Sequence, residues 1–341
     1  MARADLLKKL FVSYKETNSQ GFLEAAHELI DEERKMHHVI LANELGRILE
    51  NGTYRPTHQA RSELQPLPRD SDRGTPLLEI RRPDRHLEDM VLSDDQRDTL
   101  SEVVEQMRSW EVLESNALRP SNKLLFCGPP GCGKTATAEA LCNLIGLPLL
   151  YVRFDSVVSS LLGETAANLR KVFDFAARDK WVLFFDEFDG VGRSRDDATE
   201  HGELKRVVNT FLQMLDRFGG KSLVIAATNF EQSLDPALWR RFDEVIRFEL
   251  PNRTQIKTLL ERRLRNRKYP ASLINEFSGR LAGMSHAEIE RVCLDVLKQL
   301  ALKGLTEIST ADFLHAIQRQ ERRKQALAKS RANGRPRVNE A

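Results

Sequence analysis

The chain lacks most of what would tie it to a secreted, membrane or metal-stapled class. It has four cysteines, Cys127, Cys132, Cys142 and Cys293, with no CxxC spacing among them. Two lie in or beside a glycine-rich loop, where a disulfide would be awkward. They read as buried reduced thiols, so a reducing compartment is expected. No apolar run nears the ~18 residues of a membrane span, and the opening residues Met1 to Asp5 offer no apolar signal core. A soluble cytoplasmic protein with no membrane partner is expected. Excess charge is lacking too: 52 Lys and Arg face 50 Asp and Glu, so the whole molecule has no bias toward polyanions. There is no internal repeat, no HExxH zinc motif and no GxSxG. Any proteolysis linked to this chain must come from a partner.

What is present points to a multidomain α/β protein. The 341 residues are enough for two or three domains, and 41% apolar content supports a sizeable core. Residues 1–52 carry apolar stripes at helical spacing (Leu6, Leu7, Leu10, Phe11; Phe22, Ala25, Leu29, Ile30; Ile40, Leu41, Leu45, Ile48) and stop at Asn51-Gly52. They form an expected N-terminal helical domain that receives an adaptor or substrate. Residues 53–84 hold six scattered prolines and glycines among charges and read as a linker. Over 85–250, five short apolar runs alternate with helical segments: Lys123–Cys127, Pro148–Phe154, Trp181–Asp186, Ser222–Thr228 and Glu244–Leu250. That alternation predicts a parallel sheet with helices on both faces. Residues 251–320 lose the strand signal and read as a small all-α domain. Residues 321–341 read as a basic tail: from Arg319 onward eight Lys or Arg face only Glu321 and Glu340.

Three segments carry chemistry. Leu124–Thr135 is an apolar strand, a glycine-rich loop and Lys-Thr, followed by a helical stretch: the P-loop pattern GxxxxGK[ST] in its required strand–loop–helix context. Gly128, Pro129, Pro130, Gly131, Cys132, Gly133, Lys134, Thr135 and Ala136 form the expected phosphate cradle. Its backbone N–H groups face the phosphates, Lys134 reaches the β/γ-phosphates and Thr135 holds Mg²⁺. Trp181–Phe185 is an apolar strand ending in Asp186-Glu187. Strand carboxyl ends face the ligand in an open parallel sheet, so Asp186 is expected beside the Mg²⁺ and Glu187 beside the attacking water. Read alone, Asp-Glu-Phe-Asp is also a solvated acidic turn. A third strand, Leu223–Thr228, ends in Asn229, placed to bond the water or the γ-phosphate; alone, Asn there is also an ordinary turn residue.

Together these segments resemble the AAA ATPases, of the clade that includes FtsH, Vps4 and Cdc48. Gly128–Thr135 matches the Walker A motif and Phe184–Asp189 the Walker B motif. Glu203–Asn209, Ala226–Asn229 and Leu234–Asp243 match the second region of homology. Gly283-Met-Ser-His-Ala-Glu-Ile289 resembles the Gly-x-Ser-Gly-Ala-Asp lid motif. The resemblance covers about Leu87 to Arg319. It implies a P-loop sheet followed by an α-helical lid, with ATP and Mg²⁺ bound between the subunits of a homo-oligomeric ring, usually a hexamer. Arg241 takes the place of the arginine finger, with Arg240 as a second arginine; the pair is adjacent here, where relatives separate it. Asp216 and Phe218 take the inter-subunit signalling positions, with Arg217 in place of a glycine. Ala287 stands where other clades carry a sensor-2 arginine, which argues against a replication initiator, clamp loader or Holliday-junction motor. Backbone at Asp89-Met90-Val91 is the implied adenine pocket.

The pore-loop positions are Leu161, Leu162 and Gly163. Leu161 replaces the aromatic that grips extended polypeptide, so local remodelling fits this chain better than processive threading. The helical N-terminus, linker and single module also look like bacterial ATPases encoded beside subtilisin-like serine proteases in defence or toxin–antitoxin modules. Two alternatives stand beside remodelling: a nucleotide-gated switch that restrains a partner, and an ATPase stimulated by nucleic acid through the basic tail. The tail has no aromatics for base stacking, which weighs against the latter.

Overall fold

The computed structural model describes residues 3–15, 19–35, 46, 66–157, 162–188, 198–229, 239–270 and 272–333. The chain divides into two compact units, Met1–Gln65 and Pro66–Ala341. In the first, α1 (Arg3–Lys15) packs on α2 (Ser19–Lys35). Leu6, Ala25, Leu29 and Ile30 are buried there, and Phe11 stays exposed. The third apolar stripe, around residues 40–49, lies outside the described residues apart from Gly46.

The second unit holds a six-stranded sheet in the order β1-β3-β4-β5-β2-β6. The strands are β1 (Leu78–Arg81), β2 (Lys123–Cys127), β3 (Leu149–Val152), β4 (Val182–Phe185), β5 (Leu223–Thr228) and β6 (Glu244–Arg247). Strands β2 to β6 pair in parallel, and they lie within the five apolar runs. All four residues of β4 and all six of β5 are buried. A strand covered on both faces needs apolar residues at every position, which explains the continuous runs. Successive side chains point to opposite faces. Leu125, Leu183, Phe185, Val224 and Ala226 meet α7 (Leu162–Ala176) and α8 (Ala198–Arg217) through Phe173 and Phe211. Leu124, Phe126, Phe184 and Ile225 meet α3 (Asp94–Arg108) and α5 (Lys134–Ile145) through Leu100, Val104 and Leu141. Of two short helices, α4 (Trp110–Ser115) joins this side through Trp110, and α6 (Phe154–Val157) joins the α7–α8 side through Phe154 and Val157.

Four helices follow the sheet: α9 (Arg253–Leu264), α10 (Leu273–Arg280), α11 (His286–Lys303) and α12 (Thr310–Asn333). They enclose their own core around Leu260, Phe277, Ile289, Val296 and Phe313. Asn252 and Ser285 start α9 and α11 with reciprocal capping boxes to Gln255 and Glu288.

Strand β1 departs from the linker reading of 53–84. Leu78–Arg81 pairs antiparallel with β3, register Leu78 to Val152 and Arg81 to Leu149. Leu77 and Leu78 are 0% and 1% exposed. Pro76 and Pro83 flank the strand, and proline is tolerated beside an edge strand because no ladder donor is lost within it. Upstream, the Asp70 carboxylate accepts from the buried Asn168 side chain at 2.6 Å and pins the 66–77 loop onto α7. The other departure concerns the pore-loop positions. Leu162 and Gly163, expected in a loop, are the first residues of helix α7. Leu161 and the side chain of Leu162 lie outside the described residues.

Candidate functional site

The loop from β2 to α5 curls because glycine stands where the backbone demands it. Gly128 has φ 137°, and a Cβ there would sit 1.9 Å from the Phe248 carbonyl oxygen, backbone that cannot step aside. Gly131 has φ 76°, and its Cβ would come within 2.8 Å of Ser285 Oγ and 3.1 Å of the Ala287 Cβ. The first glycine therefore lets the loop pass β6, and the second lets it meet the helical lid. Ala287 N–H donates to the Gly131 carbonyl at 3.0 Å, which fixes the lid to the loop.

Helix α5 begins at Lys134, so the positive end of its dipole faces the loop. The Lys134 side chain, 7% exposed, folds back over the loop. Its ammonium donates to the carbonyls of Gly128 at 2.7 Å and Pro129 at 3.0 Å, and to Asn229 Oδ1 at 2.8 Å. Asn229 arrives from the carboxyl end of β5. Thr135 Oγ1 donates to Asp186 Oδ2 at 2.9 Å, which arrives from the end of β4. Glu187 follows with φ 51°, a left-handed conformation that a non-glycine residue holds only under constraint. Two bonds supply it: Glu187 N–H donates to Asp186 Oδ1 at 2.9 Å, and Phe188 N–H to the Ala227 carbonyl at 2.9 Å. The buried Phe188 ring packs on Phe211, so Glu187 is turned outward.

These groups line one cleft of about 1050 Å³ together with Pro130, Gly131, Cys132, Ala136, Met90 and Ala287. The oxygen pair of Thr135 and Asp186 suits a hard cation such as Mg²⁺, which takes one or two protein oxygens and completes its shell with phosphate and water. The fully buried strands behind the cleft exclude water from one side. Burial also pushes the Cys132 thiol up, so it is no thiolate.

Sequence reasoning missed how residues 82–91 strap the cleft. Arg85 Nε pairs with Glu139 of α5 at 3.1 Å, and Asn143 of α5 donates to the Arg85 carbonyl. From the lid, Arg262 of α9 donates to the Glu88 carbonyl at 2.6 Å and to the Met90 carbonyl at 3.3 Å. Arg97 adds a bond to Met90 at 3.2 Å. The strap that carries Asp89-Met90-Val91 is thus held by both the sheet layer and the lid. Only the long-range partners reveal this, since arginines of this kind are otherwise ordinary surface residues in the sequence.

Arg240 and Arg241 are not brought to this cleft. Arg241 Nε bonds Asp216 Oδ2 at 3.2 Å, both side chains partly exposed. Phe218, grouped with Asp216 in the sequence, is buried against Phe173 with ring centroids 5.7 Å apart. Asp189 and residues 234–238 of the matched motifs lie outside the described residues.

The model of the ATPase family associated with various cellular activities (AAA) matches residues 124–250. The chain is 41% identical over 329 residues to the "Uncharacterized AAA family ATPase y4kL" of Sinorhizobium fredii, covering 96% of this chain and 98% of that protein. It is 29% identical over 253 residues to the ATP-dependent zinc metalloprotease FtsH 3 of Sphaerobacter thermophilus, covering 72% of this chain and 52% of the relative. The 26S proteasome regulatory subunit 6A of Encephalitozoon cuniculi is 31% identical over 268 residues, 75% of this chain and 67% of that one. The chain therefore spans about half of the metalloprotease and nearly all of y4kL. Among the described residues no helix is long and apolar enough to cross a membrane. The shared sequence and the P-loop geometry agree: this chain belongs to the AAA ATPase family and is an ATP hydrolase.

Proposed function

We propose that the chain hydrolyses ATP with Mg²⁺ at the β2–α5 cleft, as a subunit of a homo-oligomeric ring, to remodel or regulate a protein partner. The observation that carries the reading is the meeting of Lys134, Asn229, Thr135 and Asp186 from three separate strand ends within hydrogen-bond distance. Thr135 and Asp186 hold the metal, which supplies charge neutralisation on the phosphates. Lys134 exchanges Asn229 Oδ1 for phosphate oxygens, and its charge follows the negative charge that develops there. Glu187 takes the proton of the attacking water, and Asn229 orients that water. Met90 and Ala287 flank the base end of the cleft. Arg241, with Arg240 beside it, acts on the γ-phosphate of a neighbouring subunit. Its distance from its own cleft supports action in trans, and Asp216 holds it ready through the 3.2 Å pair.

The division of labour along the chain follows. Residues 85–250 and 251–320 form the motor and its lid, and 1–52 engages an adaptor or substrate. Leu161, Leu162 and Gly163 contact the partner weakly, which favours local remodelling over threading. The relatives named as a zinc metalloprotease and a proteasome subunit act in proteolysis by name, and this sequence carries neither HExxH nor GxSxG. A separately encoded protease, of the subtilisin-like serine class in a defence or toxin–antitoxin module, is the partner we favour, in a cytoplasmic setting.

The test is Glu187→Gln in the full chain. Loss of the base should cut turnover by roughly 100-fold or more, while nucleotide affinity stays within a few-fold of the parent. Turnover at the parent rate would remove Glu187, and with it this mechanism.

A further inference from the structure

Asp70 carries a carboxylate that the chemistry of the cleft does not use, yet it is only 4% exposed. It sits in the loop with which the second unit begins at Pro66. Its Oδ1 accepts from the N–H groups of Asp72 and Arg73 at 3.0 and 2.7 Å. Its Oδ2 accepts at 2.6 Å from the side-chain amide of Asn168 in α7, itself 1% exposed. The bond from Arg73 N–H, and then that from Asn168, hold the carboxyl below its usual range, so it is ionised near pH 7. One turn along α7, Lys171 Nζ donates to the Arg69 carbonyl at 3.0 Å and to Ser71 Oγ at 2.7 Å. A buried carboxylate tolerates little displacement of its donors, because each one lost leaves charge uncompensated. The clasp therefore fixes where α7 stands.

Helix α7 in turn backs the turn that carries Glu187. Phe173 of α7 stacks on Phe185 with centroids 5.6 Å apart and meets Phe211 at 5.7 Å. Phe185 directly precedes Asp186-Glu187. Phe188 directly follows, and its ring packs on Phe211 at 4.6 Å. The left-handed Glu187 is thus held on both sides in sequence by rings that rest on α7 and α8. The loop from Pro66 grips this layer a second time. Arg153 N–H donates to the Leu77 carbonyl at 3.0 Å, and Phe154 beside it meets Phe188 at 5.9 Å. A non-glycine residue keeps a left-handed conformation only while its surroundings over-determine it. A shift of α7 relaxes that constraint and moves the Glu187 carboxylate away from the attacking water.

We propose that Asp70 and Asn168 are positioning residues for hydrolysis: their clasp sets α7 and, through Phe173, the turn that carries Glu187. This role rests on the reading of Glu187 as the base. The phosphate loop runs between β2 and α5, outside the clasp, so turnover depends on the clasp and nucleotide affinity does not.

The experiment uses the full chain with ATP and Mg²⁺, and reads kcat per titrated nucleotide site beside ATP affinity. Asn168→Ala deletes the donor, and Asn168→Asp sets two carboxylates face to face. Each should lower kcat by about tenfold or more, with affinity within about threefold of the parent. Combining Asp70→Asn with Asn168→Asp restores one donor and one acceptor, and should return kcat to within about threefold of the parent. In a Glu187→Gln background neither Asn168 variant should lower the residual turnover further, since the group they position is gone. Thermal unfolding keeps every assay below the variant's transition. Parental kcat in either Asn168 variant overturns the proposal. So does failure of the exchanged pair to restore kcat. The same fold-loss in the Glu187→Gln background overturns it as well, because the clasp would then only hold the fold together. If Glu187→Gln alone turns over at the parent rate, the reading of Glu187 falls, and the positioning role with it.

Discussion

Replacing Asn229 separates two things that the bond to Lys134 does. Its Oδ1 accepts from a nearly buried ammonium at 2.8 Å. A hydrogen bond from a charged donor contributes about 1.5–3 kcal/mol. In Asn229→Ala the ammonium keeps the carbonyls of Gly128 and Pro129, so the expected loss is at the low end, about 1–2 kcal/mol. That should lower the unfolding midpoint of the nucleotide-free protein by about 2–6 °C. ATP affinity should stay within about threefold, because Lys134 leaves this bond when it meets phosphate. Turnover should fall roughly 100-fold through loss of the oriented water. Asn229→Asp should do the opposite to stability. A carboxylate there attracts the ammonium by about 4 kcal/mol at 4 Å and an effective dielectric of 20. Desolvation offsets part of that, and a net of about 1–2 kcal/mol must be given up when Lys134 moves to the phosphate. Repulsion of the phosphate adds to it, so ATP should bind at least about tenfold more weakly. Calorimetric titration with ATP and thermal unfolding without it read both variants. If Asn229→Ala loses as much ATP affinity as Asn229→Asp, Lys134 does not exchange partners and the argument fails.

Other predictions follow from single contacts. Gly131→Ala should combine left-handed strain of about 1–2 kcal/mol with a clash against Ser285 and Ala287. ATP affinity should drop about tenfold by titration; unchanged affinity would mean that the loop-to-lid contact is irrelevant to binding. Leu78→Ala, in the edge strand and 1% exposed, should destabilise the second unit by about 2–5 kcal/mol in denaturant unfolding. A loss below about 0.5 kcal/mol would instead describe an exposed linker.

Much of the site was legible because its parts are contiguous. The P-loop, the Asp186-Glu187 pair and Asn229 each end an apolar strand, and a parallel sheet brings strand ends to one edge. Strand β1 was not legible: four residues between Pro76 and Pro83 offer little pattern, and their partner β3 lies about seventy positions later. The start of α7 at Leu162 was likewise hidden, since Leu-Gly reads as a loop and the helix is set by what packs behind it. The strap of residues 82–91 depends on Glu139, Asn143 and Arg262, which are scattered along the chain.

By itself the sequence determined the fold class, the phosphate loop and the carboxylate pair, because those rest on local backbone geometry and on the period of burial. Only the tertiary structure decided which partners the charged and polar side chains take. It put Lys134 on Asn229, and Arg241 on Asp216 rather than at its own cleft. Hydrogen bonds and ion pairs act over a few ångströms, and the chain reaches those separations only after helices and strands distant in sequence have packed.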